Sequence, residues 1–233
     1  MKLHSCKLWS YCRCMPIVTV AVAKGGAGKS TIAVNIAAEL QARGFRVLLA
    51  DADEQGTSLS WAEVAAERGI ATPDVVAIGD NLRFHVPSLS AGYDFTIVDC
   101  PGRRGKRQAA AILVADLVVV PCAPSPADSW ALGDTLEVLE EARALRDDLD
   151  ATIVLNRADR TRTTAIARKG LADLELRLTT TSLGDRVAFR EAMAAGAGVT
   201  TYAPASVAAA EVRALTDEVL GFLSSDEETT HAA

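Results

Sequence analysis

From residue 16 onward, short unbroken apolar runs alternate with longer stretches whose apolar residues recur every three or four positions. The runs are Pro16–Ala23, Arg46–Ala50, Asp74–Ile78, Asp94–Cys100, Leu117–Pro121 and Thr152–Leu155. Rich in valine and isoleucine and without polar alternation, they read as strands buried on both faces. Between them, helical periodicity covers Ser30–Arg43, a segment through Trp61 to Arg68, Pro126–Arg146, Thr163–Leu174, Asp185–Ala195 and Pro204–Leu223. Gly44 closes the first helix, as a C-terminal glycine does. Strand and helix alternating through short connections predict one α/β domain: a mostly parallel, doubly wound sheet flanked by helices. Such sheets take ligands at the carboxyl ends of their strands.

Composition narrows the picture. The chain has 233 residues, a length that one α/β domain can fill, and its 49% apolar content supports a core of that size. No segment is apolar over enough length to span a membrane. A net charge of −6 excludes coating nucleic acid by bulk charge and leaves room for a local basic patch. The five cysteines (Cys6, Cys12, Cys14, Cys100 and Cys122) are odd in number and irregular in spacing, which fits a reducing cytoplasm. Residues 1–14 carry no period. His4, Cys6, Cys12 and Cys14 could be read as a metal set, but Cys-x-Cys is poor zinc spacing. The expectation is a disordered extension, or a start assigned too early, before a domain of residues 15–223. Residues 224–233 read as a flexible acidic tail.

The chemistry sits where strands end. Ala23-Lys24-Gly25-Gly26-Ala27-Gly28-Lys29-Ser30-Thr31 lies between the first strand and the first helix. Glycines there let backbone N–H groups converge, and the helix begins with unsatisfied donors and partial positive charge. That is a phosphate-binding loop, with Lys29 for the β- and γ-phosphates and Ser30 for Mg²⁺. Asp51 and Asp53 follow the second strand, and Asp99 ends the fourth. Carboxylates beside a phosphate loop serve to hold Mg²⁺ and its waters.

The loop departs from the ordinary pattern in having Ala23 where glycine is usual and a second lysine, Lys24. KGGAGKST resembles the deviant Walker A loop of ParA/MinD-type ATPases, a P-loop family of the SIMIBI class. The likeness spans Met15 to about Leu223. DADEQGTSLSW is similar to that family's D-x-D-P-Q-G-S stretch, with Glu54 where proline is usual, and YDFTIVDCPG is similar to its Walker B segment. VPCAPSPADSWAL and GDRVAFREAMAAGAGVTTYAP resemble the short, ParF-like partition ATPases. The resemblance implies ATP and Mg²⁺ as cofactors. It implies that Lys24 reaches across a nucleotide-sandwich homodimer to the partner's phosphates. Gly25, Gly26, Ala27, Gly28, Lys29, Ser30 and Thr31 would hold the phosphates, and Asp53 would orient the attacking water. Ser30, Asp51 and Asp99 would serve the metal. Asn156 falls where the family contacts adenine, with Pro204 near the same pocket.

The implied output is slow, partner-stimulated ATP hydrolysis, with the ATP dimer binding DNA non-specifically on the nucleoid and a centromere-binding adaptor of the ParB/ParG kind triggering turnover for plasmid or chromosome partition. Candidate phosphate contacts are Arg157, Arg160, Arg162, Arg168, Lys169, Arg186, Arg190 and Arg213. Arg103, Arg104, Lys106 and Arg107 form another basic run, read equally as a partner surface or a solvated loop. A positioner of a protein organelle, a conjugative-transfer accessory and a non-hydrolysing adaptor remain open. Membrane cycling is not expected, because SSDEETTHAA is not a basic amphipathic helix. Iron–sulfur ligation is not expected from the single Cys100 and Cys122. No helix-turn-helix fits before Met15, so operator binding is left to a partner.

Overall fold

Every apolar run expected as a strand is one. The computed structural model describes residues 15–159, 161–174 and 176–230. Within them β1 (Ile17–Val20), β2 (Val47–Asp51), β3 (Asp74–Ala77), β4 (Phe95–Asp99), β5 (Leu117–Cys122), β6 (Asp150–Ala158) and β7 (Arg177–Gly184) form one sheet in the order β3-β2-β4-β1-β5-β6-β7. All pairings are parallel. The helices are α1 (Lys29–Ala42), α2 (Thr57–Glu67), α3 (Leu82–Ser90), α4 (Lys106–Leu113), α5 (Pro126–Arg143), α6 (Arg162–Ala172), α7 (Val187–Ala195), α8 (Val199–Tyr202) and α9 (Val207–Thr230).

Alternate strand residues feed two cores. Val18 and Val20 face one that is closed by Ile32, Ile36 and Leu40 of α1, Trp61 of α2, Phe189 of α7 and Val212 of α9. Ile17 and Ala21 face the other, closed by Leu82 and Val86 of α3, Ile112 of α4, Leu132 and Leu139 of α5 and Leu171 of α6. Both faces of the sheet are therefore covered, which is why its strands lack polar alternation.

Four elements depart from the sequence reading. Strand β7 is threonine-rich and so hydropathically weak, but threonine is β-branched and suits a pleated surface. Helix α3 buries Leu82, Val86 and Ser90 at four-residue intervals although Pro87 lies inside it. Helix α4 begins within the basic run and buries Gln108, Ala111 and Ile112. The expected helix Pro204–Leu223 is α9, which starts at Val207 after the separate one-turn α8 and runs to Thr230. The segment read as the start of a tail thus continues this helix; nothing in 224–230 is glycine or proline to stop it. Residues 1–14, expected as a disordered extension or a start assigned too early and carrying the poorly spaced His4, Cys6, Cys12 and Cys14, lie outside the described residues.

Gly196 joins α7 to α2. It ends α7 at φ 73°, and a Cβ there would lie 2.7 Å from Ala65 Cα. Next to it, the Ala197 carbonyl accepts the buried Trp61 indole N–H at 3.2 Å. Gly196→Ala is expected to destabilise the fold by about 2–5 kcal/mol, from left-handed strain plus steric overlap. Urea unfolding checks this against Gly221→Ala, which sits in open space.

Candidate phosphate-binding site

Strand register builds the site. Asp51 pairs with Asp99 across β2 and β4, and Asp99 pairs with Val20 at the end of β1, from which residues 21–28 lead into α1. Among the described residues no side chain caps α1. Its N-cap is Gly28 at φ 93°, and a Cβ there would collide with the Asn156 amide. Backbone donors of the first turn therefore face the loop, as an anion site needs. Asn156, at the end of β6, braces the loop by donating to the Ala27 carbonyl at 2.8 Å. Thr135 of α5 accepts the Ala23 N–H at 3.0 Å.

The two loop lysines do different things. Lys29 is buried and folds back over the loop, its Nζ donating to the Lys24 carbonyl at 2.8 Å. Burial pulls its ammonium below the usual lysine range, against the opposing influence of Cys100, Asp99 and Asp53. Lys24 turns away. Its Nζ lies 2.7 Å from Asp128 in the first turn of α5 and keeps 32% of its side-chain surface exposed. Asp128 is also bonded by Ser125, the N-cap of α5. Burial alone would raise its carboxyl; the bonds from Lys24 and Ser125 outweigh this and hold it below the usual range.

Of the carboxylates, Asp51 has both oxygens engaged: Oδ1 accepts the Asp53 N–H at 3.1 Å and Oδ2 the Leu59 N–H at 3.0 Å. Asp99 is fully buried. Its Oδ2 accepts Ser58 Oγ at 2.7 Å, the Ser30 hydroxyl lies near enough to favour its charged form, and Oδ1 has no hydrogen-bond partner among the described residues. A buried orphan oxygen near a loop serine fits a Mg²⁺ ion, which Asp99 and Ser30 would hold beside the phosphates. Asp53 sits in the turn Asp53–Gly56, where the Gly56 N–H donates to the Asp53 carbonyl at 3.0 Å and the Gln55 N–H to its Oδ1 at 3.1 Å. Thr31, Asn156, Leu183 and Phe189 line a small, mainly apolar cavity beside the loop. Pro204 is not part of that lining. It lies between α8 and α9, and its carbonyl accepts from Arg213 at 2.9 Å.

Residues 25–31, Asp51, Asp53, Asp99 and Asn156 thus converge on one edge of the sheet. Asp128 and Ser58 join them, although sequence reasoning gave them no role. Ser58 lies inside a stretch already singled out, but Asp128 is 104 residues from the lysine it holds, and no local signal links them. The basic residues are mostly paired internally. Arg104 bonds Glu137 and Glu141, Arg186 bonds Glu211, and Arg190 bonds Asp185. Arg168 bonds the Thr179 and Thr180 carbonyls and the Ser182 hydroxyl. Arg160 lies outside the described residues.

A parallel sheet with a glycine loop at its central strand, paired acids at adjacent strand ends and a lysine over the loop defines a P-loop nucleotide-binding domain. Residues 18–199 match the model of the CobQ/CobB/MinD/ParA nucleotide-binding domain. The chain belongs to that family. It is 34% identical over 212 residues to the maintenance of carboxysome distribution protein A of Halothiobacillus neapolitanus, covering 87% of this chain and 96% of that protein. It is 33% identical over 155 residues to the chromosome-partitioning ATPase Soj of Thermus thermophilus, covering 54% and 62%. Among solved structures, an McdA–ATP complex from Cyanothece shares the fold at TM-score 0.72 and 19% identity over 89% of this chain and 96% of that one. The cell division ATPase MinD of Pyrococcus furiosus does so at 0.71 and 21% over 89% and 99%. No helix among the described residues is long and apolar enough to cross a membrane.

Burial raises the Asp99 carboxyl to about 6, against the influence of the Ser30 and Ser58 hydroxyls and with the Asp51 charge adding to it. A carboxyl raised on folding stabilises the fold in its protonated form. In metal-free protein that contribution is full below about pH 4 and is lost as pH rises through about 6, roughly 1–3 kcal/mol across the window. Asp99→Asn is expected to flatten this dependence, measured by denaturant unfolding in chelator between pH 4 and 8. An unchanged slope would assign the titration to another group.

Proposed function

We propose that the chain is an ATP-driven switch that dimerises around two nucleotides, binds DNA in that state and is reset by hydrolysis that an adaptor stimulates. One observation carries the reading: Lys24 belongs to the phosphate loop but directs its ammonium away from the loop's centre, which Lys29 already covers. A second loop lysine with that orientation is suited to phosphates held by another subunit. Bound Mg²⁺ supplies charge neutralisation at the terminal phosphates. Lys29 and the loop amides hold those phosphates, Ser30 and Asp99 hold the metal's side of the site, and Asp53 accepts a hydrogen bond from water and aims it in line. Asn156, which braces the loop at the end of β6, is the candidate contact for the base. Phosphoryl transfer by such a site depends on positioning and electrostatics rather than covalent chemistry.

Face-to-face docking has to break the Lys24–Asp128 pair, so ATP drives dimerisation only through its greater affinity for the paired state. The basic residues near α6, α7 and α9 are the DNA-facing candidates. The Arg190–Asp185 pair is exposed and could exchange partners at little cost, whereas Arg186 is held by the largely buried Glu211.

The cargo has two readings. Plasmid or chromosome partition is one. Positioning of a protein organelle is the other, and the similarity to a carboxysome distribution protein over 96% of that protein's length favours it. Loss of the chain would then scatter a protein shell without raising plasmid loss, which fluorescence imaging and plasmid-retention counts separate.

Lys24→Ala is expected to keep ATP binding within about three-fold while losing the ATP-dependent dimer, and Asp53→Ala to keep the dimer while losing at least about 100-fold in turnover. Light scattering and phosphate release report the two. Dimers of Lys24→Ala at wild-type affinity would refute the cross-subunit role.

A further inference from the structure

The run Arg103–Arg107 was legible as a patch, yet its last member faces inward along the surface. The Arg107 guanidinium donates from Nε to Asp80 at 2.6 Å and lies 3.0 Å from Glu54 through Nη1. Its guanidinium is held above the usual arginine range, first by the hydrogen bond to Asp80 and then by the charges of Asp80, Glu54 and Asp53. Those acids come from the loops after β3 and β2, and Arg107 itself stands in the first turn of α4, after β4. Strands β3, β2 and β4 are neighbours in the sheet. One side chain thus ties three consecutive strand-end loops, including the turn that presents Asp53.

The turn explains why a tie is useful. With Gly56 N–H bonded to the Asp53 carbonyl, Asp53 is the first residue of a β-turn and Glu54 its second. The second position is where proline presets φ and stiffens such turns. The family-like stretch noted in the sequence carries proline there, and this chain carries glutamate.

We infer that Arg107 is a positioning residue: its ion pair with Glu54 does the work of the missing proline and holds the Asp53 turn in its productive shape. The inference rests on the proposed role of Asp53. It assigns Arg107 to the inside of the machine rather than to DNA or partner binding. Because the pair is exposed and screened, its effect is graded rather than all-or-none.

The test uses the full chain with Arg107→Ala, Glu54→Pro and the double variant. Arg107→Ala is expected to lower kcat by about three- to five-fold with KM for ATP within about two-fold, as expected for an exposed tie. Glu54→Pro in the Arg107→Ala background restores kcat, because the ring supplies the stiffness the ion pair gave. A second readout needs no nucleotide: amide hydrogen exchange at Gln55 and Gly56 speeds up in Arg107→Ala and slows again in the double variant. Unchanged kcat and exchange in Arg107→Ala would overturn the inference, and so would a loss that Glu54→Pro does not repair. Asp53→Ala is run alongside. If it turns over like wild type, the reading of Asp53 itself fails, whereas a dead Asp53→Ala with an unaffected Arg107→Ala sinks only the role of Arg107.

Discussion

Two aspartates side by side at buried strand ends are the constraint around which this edge of the molecule is arranged. Parallel register between β2 and β4 leaves no choice: Asp51 and Asp99 are Cα partners, and both are shielded from water. Like charges that close in a low-dielectric setting need separate means of support. Asp51 receives it from backbone, the N–H groups of Asp53 and Leu59 at the start of α2. Asp99 receives the Ser58 hydroxyl on one oxygen and, among the described residues, nothing on the other. The asymmetry divides the labour between them. Asp51 holds the start of the turn that carries Asp53, while Asp99 keeps one oxygen unsatisfied, which under the proposed reading a cation would fill.

The same logic separates the two lysines. Burial and the carbonyl of Lys24 keep the Lys29 ammonium over the loop, whereas Asp128 and its serine cap draw the Lys24 ammonium toward α5. Neighbouring cations in one short loop would repel if both pointed at its centre; the anchor on α5 removes that conflict in the single chain. Thr135 one helical stretch further on fixes the start of the loop to the same helix. Helix α5 therefore acts as a frame for the loop, although it lies more than a hundred residues downstream.

Much of this was readable from the chain. The runs of valine and isoleucine locate the strands because a sheet covered on both faces tolerates no alternation, and glycine spacing followed by Lys29-Ser30 locates the loop because few other backbones admit converging amides. What stayed hidden follows from chemistry that depends on distant partners. β7 is written in threonine, whose shape suits a strand while its polarity imitates a loop. α3 contains Pro87, which local rules treat as a terminator. The arginines past the fourth strand look solvated in one dimension; Arg104 finds Glu137 and Glu141 only after α5 packs beside α4. Asp128 shows the same limit from the acidic side. An ion pair between residues far apart in the chain leaves no periodic trace.

The unpartnered oxygen of Asp99 has a bearing on how long the protein lasts. A buried acceptor with nothing to accept from weakens the fold until a ligand completes it. Any ligand that binds only the folded chain adds stability in proportion to the logarithm of its occupancy, about 2.7 kcal/mol when present at a hundred times its dissociation constant. Proteases act on the opened chain, so under the proposed reading copies without bound nucleotide would be cleared ahead of loaded ones. On that reading the ligand that supplies the site's chemistry would also lengthen the life of the chain that holds it.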